Sequence, residues 1–384
     1  VMSLRRMNRI RSVEPLNNSL VVEAGCILKE IQRAAESVDR YFPLSLGSEG
    51  SCTIGGNLST NAGGVNVLRY GMTRELTLGL EVVLADGRVI STLSALRKDN
   101  TGYDLRQWFI GAEGTLGVIT AASLKLFPLP KRHGTAIVAI PSVKCAVELL
   151  AELRAGSGDR VSSFELLPRA ALELVDRHLG ARVDISPSSP WCVLCEVSSS
   201  DAEDSIDERL ASLLEAAMEK GLITDALLAQ SERERSAFWF IRENIPEAQR
   251  RDGPSVKHDV SLPIDRLAEF VDRASDWVVT HVPEGFLVCY GHVGDGNLHF
   301  NINQSSEAAE KSLLAREPEI RRAIHDLVQE YRGSFSAEHG IGRHKVDELE
   351  RYADPVELQL MQQLKQLLDP NGILNPGKVL RPRH

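Results

Sequence analysis

The sequence predicts an α+β protein that combines a strand- and glycine-rich first part with a central part of alternating strands and helices. The chain has 384 residues, of which 43% are hydrophobic and 25% charged, a globular composition long enough for two or three domains. Residues 20–130 alternate β-rich segments with glycine turns, and residues 131–285 contain two β-α-β passes. Two such passes on one sheet are typical of a ferredoxin-like layer, which we expect in the central domain.

The first part begins with the strand "SLVVEAG" and the helix "ILKEIQRAAES". Ile27, Leu28 and Ile31 are spaced for one apolar helix face. A β-hairpin follows in "LTLGLEVVLADGRVIST", where Asp86 and Gly87 make the turn. These signals predict a small sheet packed on a helix.

We place the domains at residues 1–132, 133–334 and 335–384. In the central domain, the helix in "SVKCAVELLAELRAG" is expected to end at Gly156. The last segment contains a helix over residues 354–368, after which a turn and a short extended tail are expected.

Composition excludes several classes of function. The net charge of −9 disfavours nucleic-acid binding, which needs basic surface. No run of 18 apolar residues suits a transmembrane helix, and no signal peptide or Arg-rich presequence is recognised.

Six scattered cysteines suggest a reducing compartment: the bacterial cytoplasm, or the mitochondrial matrix in a eukaryote. Cys192 and Cys195 form a CxxC on a predicted strand, where they point to opposite faces, so we interpret them as structural.

Residues 47–64, "GSEGSCTIGGNLSTNAGG", are rich in glycine. Glycines let the backbone approach a ligand closely, and successive amides form a nest for anionic oxygens. The spacing is neither GxGxxG nor GxxxxGK[ST], so neither the usual nicotinamide loop nor a nucleotide triphosphate loop is predicted. Spacing alone leaves open a simple glycine-rich connection.

The stretch "YGHVGDGNLHFN", residues 290–301, predicts two strands joined by a glycine turn, with His292 and His299 at its shoulders. Glu338 lies further along, in "SFSAEHGIG". Two imidazoles and a carboxylate suit a divalent metal such as zinc, manganese or iron. Histidines that are simply buried and hydrogen-bonded are the alternative.

The segments "GSEGSCTIGGNLSTNAGG", "RYGMTRELTLGLEVVLADGRV" and "GAEGTLGVITAASLKL" resemble the flavin domain of the vanillyl-alcohol-oxidase or PCMH type. The whole chain resembles, more closely, the FAD-linked D-2-hydroxy-acid dehydrogenases, which include enzymes for D-2-hydroxyglutarate and D-lactate and the flavin subunit of glycolate oxidase. This resemblance implies an FAD-binding domain followed by a substrate-binding cap domain. The resemblance implies a further glycine-rich subdomain before the position of Val1, so we expect this sequence to be N-terminally incomplete. The alternative is a chain that does not hold FAD tightly by itself.

The resemblance also implies which residues contact FAD. Those at the pyrophosphate and isoalloxazine are Gly50, Ser51, Thr53, Gly55, Gly56, Asn57, Thr60, Asn61, Gly63 and Gly64. Those at the adenine and ribose end are Gly114, Gly117, Val118 and Ile119. Asn375, in "LNPGK", reaches the flavin as the C-terminal segment returns to it.

For catalysis, the resemblance supports His292, His299 and Glu338 as metal ligands, with zinc placed first. Oxidation of a 2-hydroxy acid requires loss of the hydroxyl proton and transfer of the C2 hydride to flavin. A metal lowers the pKa of the hydroxyl, and a neutral imidazole can take the proton. His339 is the expected base, with a hydrogen-bonding role behind the ligands as the alternative.

The resemblance implies that Arg242 and Lys257 bind the substrate carboxylate, which Arg242 can do bidentately, and Asn301 is expected to hydrogen-bond the substrate. Exposed, solvated charges are the alternative for the two cations. Pro246 and Gly377 depart from the pattern that the resemblance implies for hydroxyglutarate-specific members. We therefore expect a D-2-hydroxy acid but leave open D-2-hydroxyglutarate, D-lactate and glycolate.

The predicted activity is an FAD-linked oxidoreductase acting on the CH–OH group of 2-hydroxy acids. The absence of a nicotinamide fingerprint favours an electron-transfer flavoprotein, a quinone or a cytochrome as acceptor, and a homodimer is expected. The alternatives are a flavin subunit without turnover, a same-fold flavoenzyme of different chemistry, and a metal-dependent hydrolase. Four acidic residues are interpreted as turn and surface carboxylates: Glu49, Glu75, Asp86 and Glu113.

Overall fold

The computed structural model describes residues 2–283, 285–304 and 313–382. The chain divides into two compact units, each described by itself below. The first, the flavin unit, comprises Val1–Leu129 and Glu338–His384, and the second, the cap unit, comprises Pro130–Ala337.

The strands among the described residues are β1 (Ile10–Glu14), β2 (Ser19–Glu23), β3 (Arg40–Tyr41), β4 (Thr77–Val83), β5 (Val89–Ser91), β6 (Val118–Lys125), β7 (Phe127–Pro128), β8 (Arg132–Ile140), β9 (Val161–Pro168), β10 (Trp191–Ser199), β11 (Asp225–Leu228), β12 (Ser255–Val256), β13 (Asp259–Ser261), β14 (Phe286–His292) and β15 (Asn297–Asn303). The α-helices with described bounds are α1 (Leu28–Glu36), α2 (Ile54–Thr60), α3 (Val67–Tyr70), α4 (Arg106–Phe109), α5 (Val143–Ser157), α6 (Arg169–Leu179), α7 (Ile206–Glu219), α8 (Glu232–Glu243), α9 (Ile245–Asp252), α10 (Leu267–His281), α11 (Glu317–Glu330), α12 (Val346–Tyr352) and α13 (Pro355–Leu368).

The flavin unit is built on an antiparallel sheet with the order β1-β2-β6-β4-β5. Helix α1 buries Leu28 and Ile31 in the core of this unit. Ile27 precedes the helix and is 37% exposed, so the prediction that it shares the buried face is wrong. The predicted hairpin is confirmed as β4 and β5, and Gly87 takes the left-handed conformation that its turn needs, with φ 86°.

The cap unit contains a sheet with the order β11-β8-β10-β9-β14-β15-β12. The elements β8-α5-β9-β10-α7-β11 have the β-α-β-β-α-β connectivity of a ferredoxin-like layer, with α6 inserted between β9 and β10. Gly156 lies inside α5, where a Cβ would come within 2.2 Å of Leu213, and Gly158 ends the helix with φ 67°. The prediction that Gly156 ends the helix is therefore wrong, because the left-handed residue that stops α5 is Gly158.

The two predicted strands around the glycine turn are β14 and β15, in which Tyr290 lies opposite His299. Beyond Tyr290, β14 leaves β15 and pairs with β9, which sets His292 opposite Glu165. Gly296 has φ 87°, and a Cβ there would lie 2.2 Å from the carbonyl oxygen of Leu262. Glycine is thus required for the turn to pack beside residue 262.

All six cysteines are free thiols, and Cys192 and Cys195 are buried in β10, as the structural interpretation predicted. Burial raises the pKa of Cys195 to about 12. Across the described part of the chain, no helix combines the length and apolarity that crossing a membrane would require.

Candidate functional site

The glycine-rich segment of the flavin unit packs tightly against the end of β2. The amide of Gly55 donates to the carbonyl of Ala24 at 2.8 Å, and a Cβ on Gly55 would lie 2.7 Å from the Cβ of Ala24. Part of the segment is helix α2 rather than loop. The open alternative of a plain loop is thus wrong for residues 54–60, because these glycines allow a helix to approach a strand closely.

A cavity of about 430 Å³ borders this segment. Its lining consists of Leu4, Arg5, Gly25, Ser51, Cys52, Thr53, Gly56, Asn57 and Thr60. Five of these are predicted FAD residues, namely Ser51, Thr53, Gly56, Asn57 and Thr60. Arg5 adds a cationic side chain that sequence reasoning missed, although two consecutive arginines near the start were a signal for an anion-binding edge.

Gly63 and Gly64 adjoin the carboxylate of Glu338 within the flavin unit. The amide of Gly64 donates to Oε1 of Glu338 at 3.1 Å, and a Cβ on Gly63 would lie 3.0 Å from the same oxygen. Gly64 has φ 102°, and a Cβ there would lie 2.1 Å from the carbonyl oxygen of Ser45. The loop therefore needs glycine at residue 64, while Asn61 uses its side-chain oxygen locally, accepting from the amide of Arg74.

The predicted residues after Gly114 mainly pack the flavin unit. A Cβ on Gly117 would lie 2.6 Å from the side chain of Val82, and Ile119 is 3% exposed in the hydrophobic core. Gly114 has φ 69° with open space where a Cβ would point. Gly114 and the start of β6 at Val118 are thus more accessible to a ligand than the side chain of Ile119.

Glu113 lies in a turn, as predicted, but its side chain is half-buried and joins three segments of the flavin unit. Its two carboxylate oxygens accept from the amides of Ile341 and Gly342 at 2.7 and 2.8 Å. Its carbonyl accepts from the side chain of Asn375 at 2.5 Å. A Cβ on Gly340 would lie 2.5 Å from Glu113 Oε1, so glycine permits this approach.

The C-terminal tail is fixed to the same loop by Lys365 of α13. Its ammonium donates to the carbonyls of Thr115 and Leu374 at 2.7 and 2.8 Å, and to Asp369 at 2.6 Å. Asp369 in turn accepts from the amide of Leu374. These bonds hold Asn375 beside Glu113.

The cap unit has a polar centre around Glu165 of β9, which is 1% exposed. Its oxygens contact His292 Nδ1 at 2.6 Å and Arg242 Nε at 2.7 Å. Burial would raise the pKa of Glu165, but the charges of His292 and Arg242 outweigh burial and hold that pKa well below its usual range. An ionised carboxylate only accepts hydrogen bonds, so Nδ1 of His292 carries the proton. Sequence reasoning missed Glu165, although a lone acid in the apolar strand "SFELLP" was a signal.

His299 lies beside this centre. A ring nitrogen of His299 and one of His292 lie within 4.8 Å of each other, and the ring of Tyr290 is 4.9 Å from that of His299 between centroids. Asp259, the register partner of His299, accepts at its carbonyl from the amide of Ala337 at 3.2 Å. This bond fixes the last residue of the cap unit beside β13.

The predicted substrate residues occupy different settings in the cap unit. Arg242 belongs to the Glu165 centre, and its guanidinium carbon lies 5.0 Å above the ring of Tyr290. Lys257 is exposed between β12 and β13. Asn301 is 3% exposed, and its side-chain amide donates to Oε1 of Gln249 at 3.1 Å. His339, the predicted base, is exposed in the flavin unit.

Comparison with known proteins matches this architecture to two family descriptions. "FAD binding domain" matches residues 1–93, and "FAD linked oxidases, C-terminal domain" matches residues 129–379. Among solved structures, p-cresol methylhydroxylase has a TM-score of 0.74 at 17% identity, covering 98% of this chain and 79% of its own. Alkyldihydroxyacetonephosphate synthase has a TM-score of 0.70 at 17% identity, covering 97% and 66%. These likenesses confirm the predicted fold class.

Curated relatives match over the whole chain. The mitochondrial D-2-hydroxyglutarate dehydrogenase of Bos taurus is 45% identical over 386 residues, covering 100% of this chain and 69% of the relative. That of Arabidopsis thaliana is 40% identical, covering 99% and 66%. The D-2-hydroxyglutarate dehydrogenase of a Xanthomonas citri strain is 35% identical, covering 99% and 79%. The chain therefore belongs to the FAD-linked oxidases, in the family that includes the D-2-hydroxyglutarate dehydrogenases.

Proposed function

We propose that this chain is an FAD-dependent dehydrogenase that oxidises a D-2-hydroxy acid to the 2-oxo acid, with D-2-hydroxyglutarate as the first substrate to test. The observation that carries the proposal is identity of 35–45% to D-2-hydroxyglutarate dehydrogenases over 99–100% of the chain, because it spans both units. The family match to an FAD binding domain leaves a flavin-free hydrolase without support.

The flavin unit fits an anionic dinucleotide. The cavity of about 430 Å³ combines the side chain of Arg5 with glycine backbone at Gly56, where the nearest atom to an added Cβ would be 3.7 Å away. When bound, FAD accepts a hydride from the substrate carbon. The residues that would hold it are those of the 50–64 segment, Gly114 and its neighbours, and Asn375, which Glu113 and Lys365 keep in place.

His292, His299 and Glu338 would hold a divalent metal, with zinc first and manganese or iron as alternatives. The close imidazole nitrogens supply two donors, and the residue following Ala337 supplies a carboxylate. When bound, the ion would lower the pKa of the substrate hydroxyl. Because Nδ1 of His292 is bonded to Glu165, that ring would act as a ligand through Nε2.

The remaining residues would bind the substrate and accept its proton. Arg242 and Lys257 would bind the carboxylate next to the reacting carbon, and the oxygen of Asn301 would accept from a substrate hydroxyl. His339 would take the hydroxyl proton as the C2 hydride leaves. The electron acceptor of this reaction would be an electron-transfer flavoprotein, a quinone or a cytochrome, in the mitochondrial matrix or the bacterial cytoplasm.

The test is anaerobic mixing of the FAD-loaded chain with D-2-hydroxyglutarate, D-lactate, glycolate and the L-enantiomers of the chiral acids. We expect D-2-hydroxyglutarate to bleach the visible flavin bands and to yield one 2-oxo acid per flavin reduced. Full flavin occupancy without bleaching by any member of the panel would contradict the proposal and favour a same-fold enzyme of different chemistry.

His339→Ala should lower the bleaching rate by roughly 10²- to 10⁴-fold, the usual contribution of a general base. His344→Ala is the matched control, because this exposed histidine lies five residues further along the same unit and should leave the rate unchanged. Equal rates in both variants would remove His339 from the mechanism.

A further inference from the structure

Glu165 is a buried carboxylate that contacts two proposed functional residues at once. Its two oxygens contact His292 Nδ1 at 2.6 Å and Arg242 Nε at 2.7 Å. We infer that Glu165 is a positioning residue that sets the distance between the metal-binding imidazole and the guanidinium that binds the substrate carboxylate. This inference rests on the proposed function and adds a residue that neither the resemblance nor the predicted site contained.

The backbone leaves Glu165 little freedom. It is the register partner of His292 in the pairing of β9 with β14, so both side chains leave neighbouring strands side by side. This pairing requires β14 to turn away from β15 at Gly291, which has φ 148° and where a Cβ would lie 2.7 Å from the carbonyl of Asn297. The position of the carboxylate is therefore set by sheet register.

Arg242 is restrained from two sides. Its Nε donates to Glu165, and its guanidinium carbon lies 5.0 Å from the ring centroid of Tyr290. Its side chain is 8% exposed, against 1% for Glu165. A buried guanidinium with no carboxylate beside it would be costly, so the contact with Glu165 stabilises Arg242 in its buried position.

The chemistry explains why one carboxylate serves both groups. A carboxylate that accepts from Nδ1 fixes the ring orientation and raises the basicity of Nε2. The same carboxylate accepts a hydrogen bond from the guanidinium of Arg242, so it holds the imidazole and the guanidinium at a fixed spacing. In a 2-hydroxy acid the hydroxyl and the carboxylate are attached to the same carbon, whereas in a 3-hydroxy acid they are attached to adjacent carbons. A fixed spacing between their two recognition groups therefore favours 2-hydroxy acids over 3-hydroxy acids.

The cap unit provides a matched control in Glu196 of β10. It is 4% exposed and contacts Arg235, which lies on the same helix α8 as Arg242. It also contacts His133 at 3.2 Å and accepts from Trp239 at 3.0 Å. Glu196 thus resembles Glu165 in burial and in its arginine and histidine neighbours, but none of those neighbours is a proposed ligand.

The test compares Glu165→Gln with Glu196→Gln in the 384-residue chain. Glutamine keeps the shape, but its amide nitrogen must face one of the two donors at residue 165. After removal of metal with a chelator, Co²⁺ is titrated in while its visible absorption is followed. We expect Glu165→Gln to weaken Co²⁺ binding by roughly 10- to 100-fold and to alter the absorption bands, and Glu196→Gln to do neither.

The second readout is the substrate. Glu165→Gln should raise KM for the 2-hydroxy acid and reduce its preference over the 3-hydroxy isomer, while Glu196→Gln leaves both unchanged. Thermal unfolding of both variants measures the loss of stability that they share. The inference would be overturned if Glu165→Gln and Glu196→Gln had the same Co²⁺ affinity and the same isomer preference. In that case, turnover by the wild-type chain would leave the proposed function intact. A wild-type chain that binds no Co²⁺ would overturn the inference together with the metal part of the proposed function.

Discussion

The carboxylate of Glu113 accepts a hydrogen bond from the amide of Ile341 at 2.7 Å, across 228 positions of the chain. Its other oxygen accepts from Gly342, so this one side chain holds the loop that follows His339. The position of the proposed base therefore depends on a residue outside the proposed substrate-binding set. This relationship leads to the first prediction.

Glu113→Ala should release the loop at residues 340–342 and lower kcat for the 2-hydroxy acid while FAD remains bound. Loss of the acceptor leaves two partly buried amides without their carboxylate, which costs about 1–3 kcal/mol of stability. Chemical denaturation and steady-state kinetics measure the two effects. Glu36→Gln, an exposed acid at the end of α1, is the control and should change neither. Wild-type kcat in Glu113→Ala would show that the loop holds its position without this residue.

Removal of divalent metal should abolish turnover without releasing FAD, since the proposed ligands and the FAD cavity are formed by different residues. Dialysis against a chelator, followed by addition of Zn²⁺, Mn²⁺ or Fe²⁺, measures the loss and its recovery. His292→Ala and His299→Ala should not recover at ion concentrations that restore the wild-type chain. Full activity in a chain shown by elemental analysis to be metal-free would refute the metal proposal.

Gly64→Ala should destabilise the flavin unit more than Gly87→Ala. Both glycines have positive φ, which costs an L-residue about 1–2 kcal/mol. Only at residue 64 would the added Cβ meet another atom, the carbonyl oxygen of Ser45 at 2.1 Å, whereas nothing lies within 4 Å at residue 87. Unfolding midpoints and FAD retention measure the difference. Equal losses in both variants would show that the loop shifts to accommodate the methyl group.

The buried thiols should be unreactive in the native protein. Burial raises the pKa of Cys192 to about 11 and that of Cys195 to about 12, and it also raises the pKa of Cys289, so little thiolate forms near neutral pH. Cys52 and Cys145 are half-buried and should be the first to react. A thiol-specific chromogenic reagent should therefore detect at most two thiols before denaturation and six after it. Rapid native reaction of Cys195 would contradict the buried strand.

The Glu196 centre should contribute stability that disappears in acid. Burial would raise the pKa of Glu196, but the adjacent His133 and Arg235 side chains outweigh burial and lower that pKa from 4.5 to about 2. Because the folded pKa is depressed, the contribution is fully present above pH 4.5 and is lost as pH falls from there towards 2. The total is on the order of 3 kcal/mol. Glu196→Gln should give a flatter dependence of unfolding free energy on pH in this window, as measured by urea titration. An unchanged slope would show that other carboxylates dominate acid unfolding.

Local patterns predicted much of the fold. The glycine turn between two β-rich flanks identified β14 and β15, and the Asp-Gly turn identified β4 and β5. The alternation of strands and helices predicted the ferredoxin-like layer. The helix boundaries at Ile27 and Gly156 were wrong because burial and close packing decided them rather than spacing alone.

By itself, the sequence determined the family and the residue types available for chemistry, because long motifs and local turn geometry depend on neighbouring residues. Only the tertiary structure decided which carboxylates are bonded to functional groups. Glu165 reaches His292 across 127 positions, and Glu113 reaches Asn375 across 262. Such contacts depend on sheet order and strand register, which bring distant residues together, so no spacing along the chain could have predicted them.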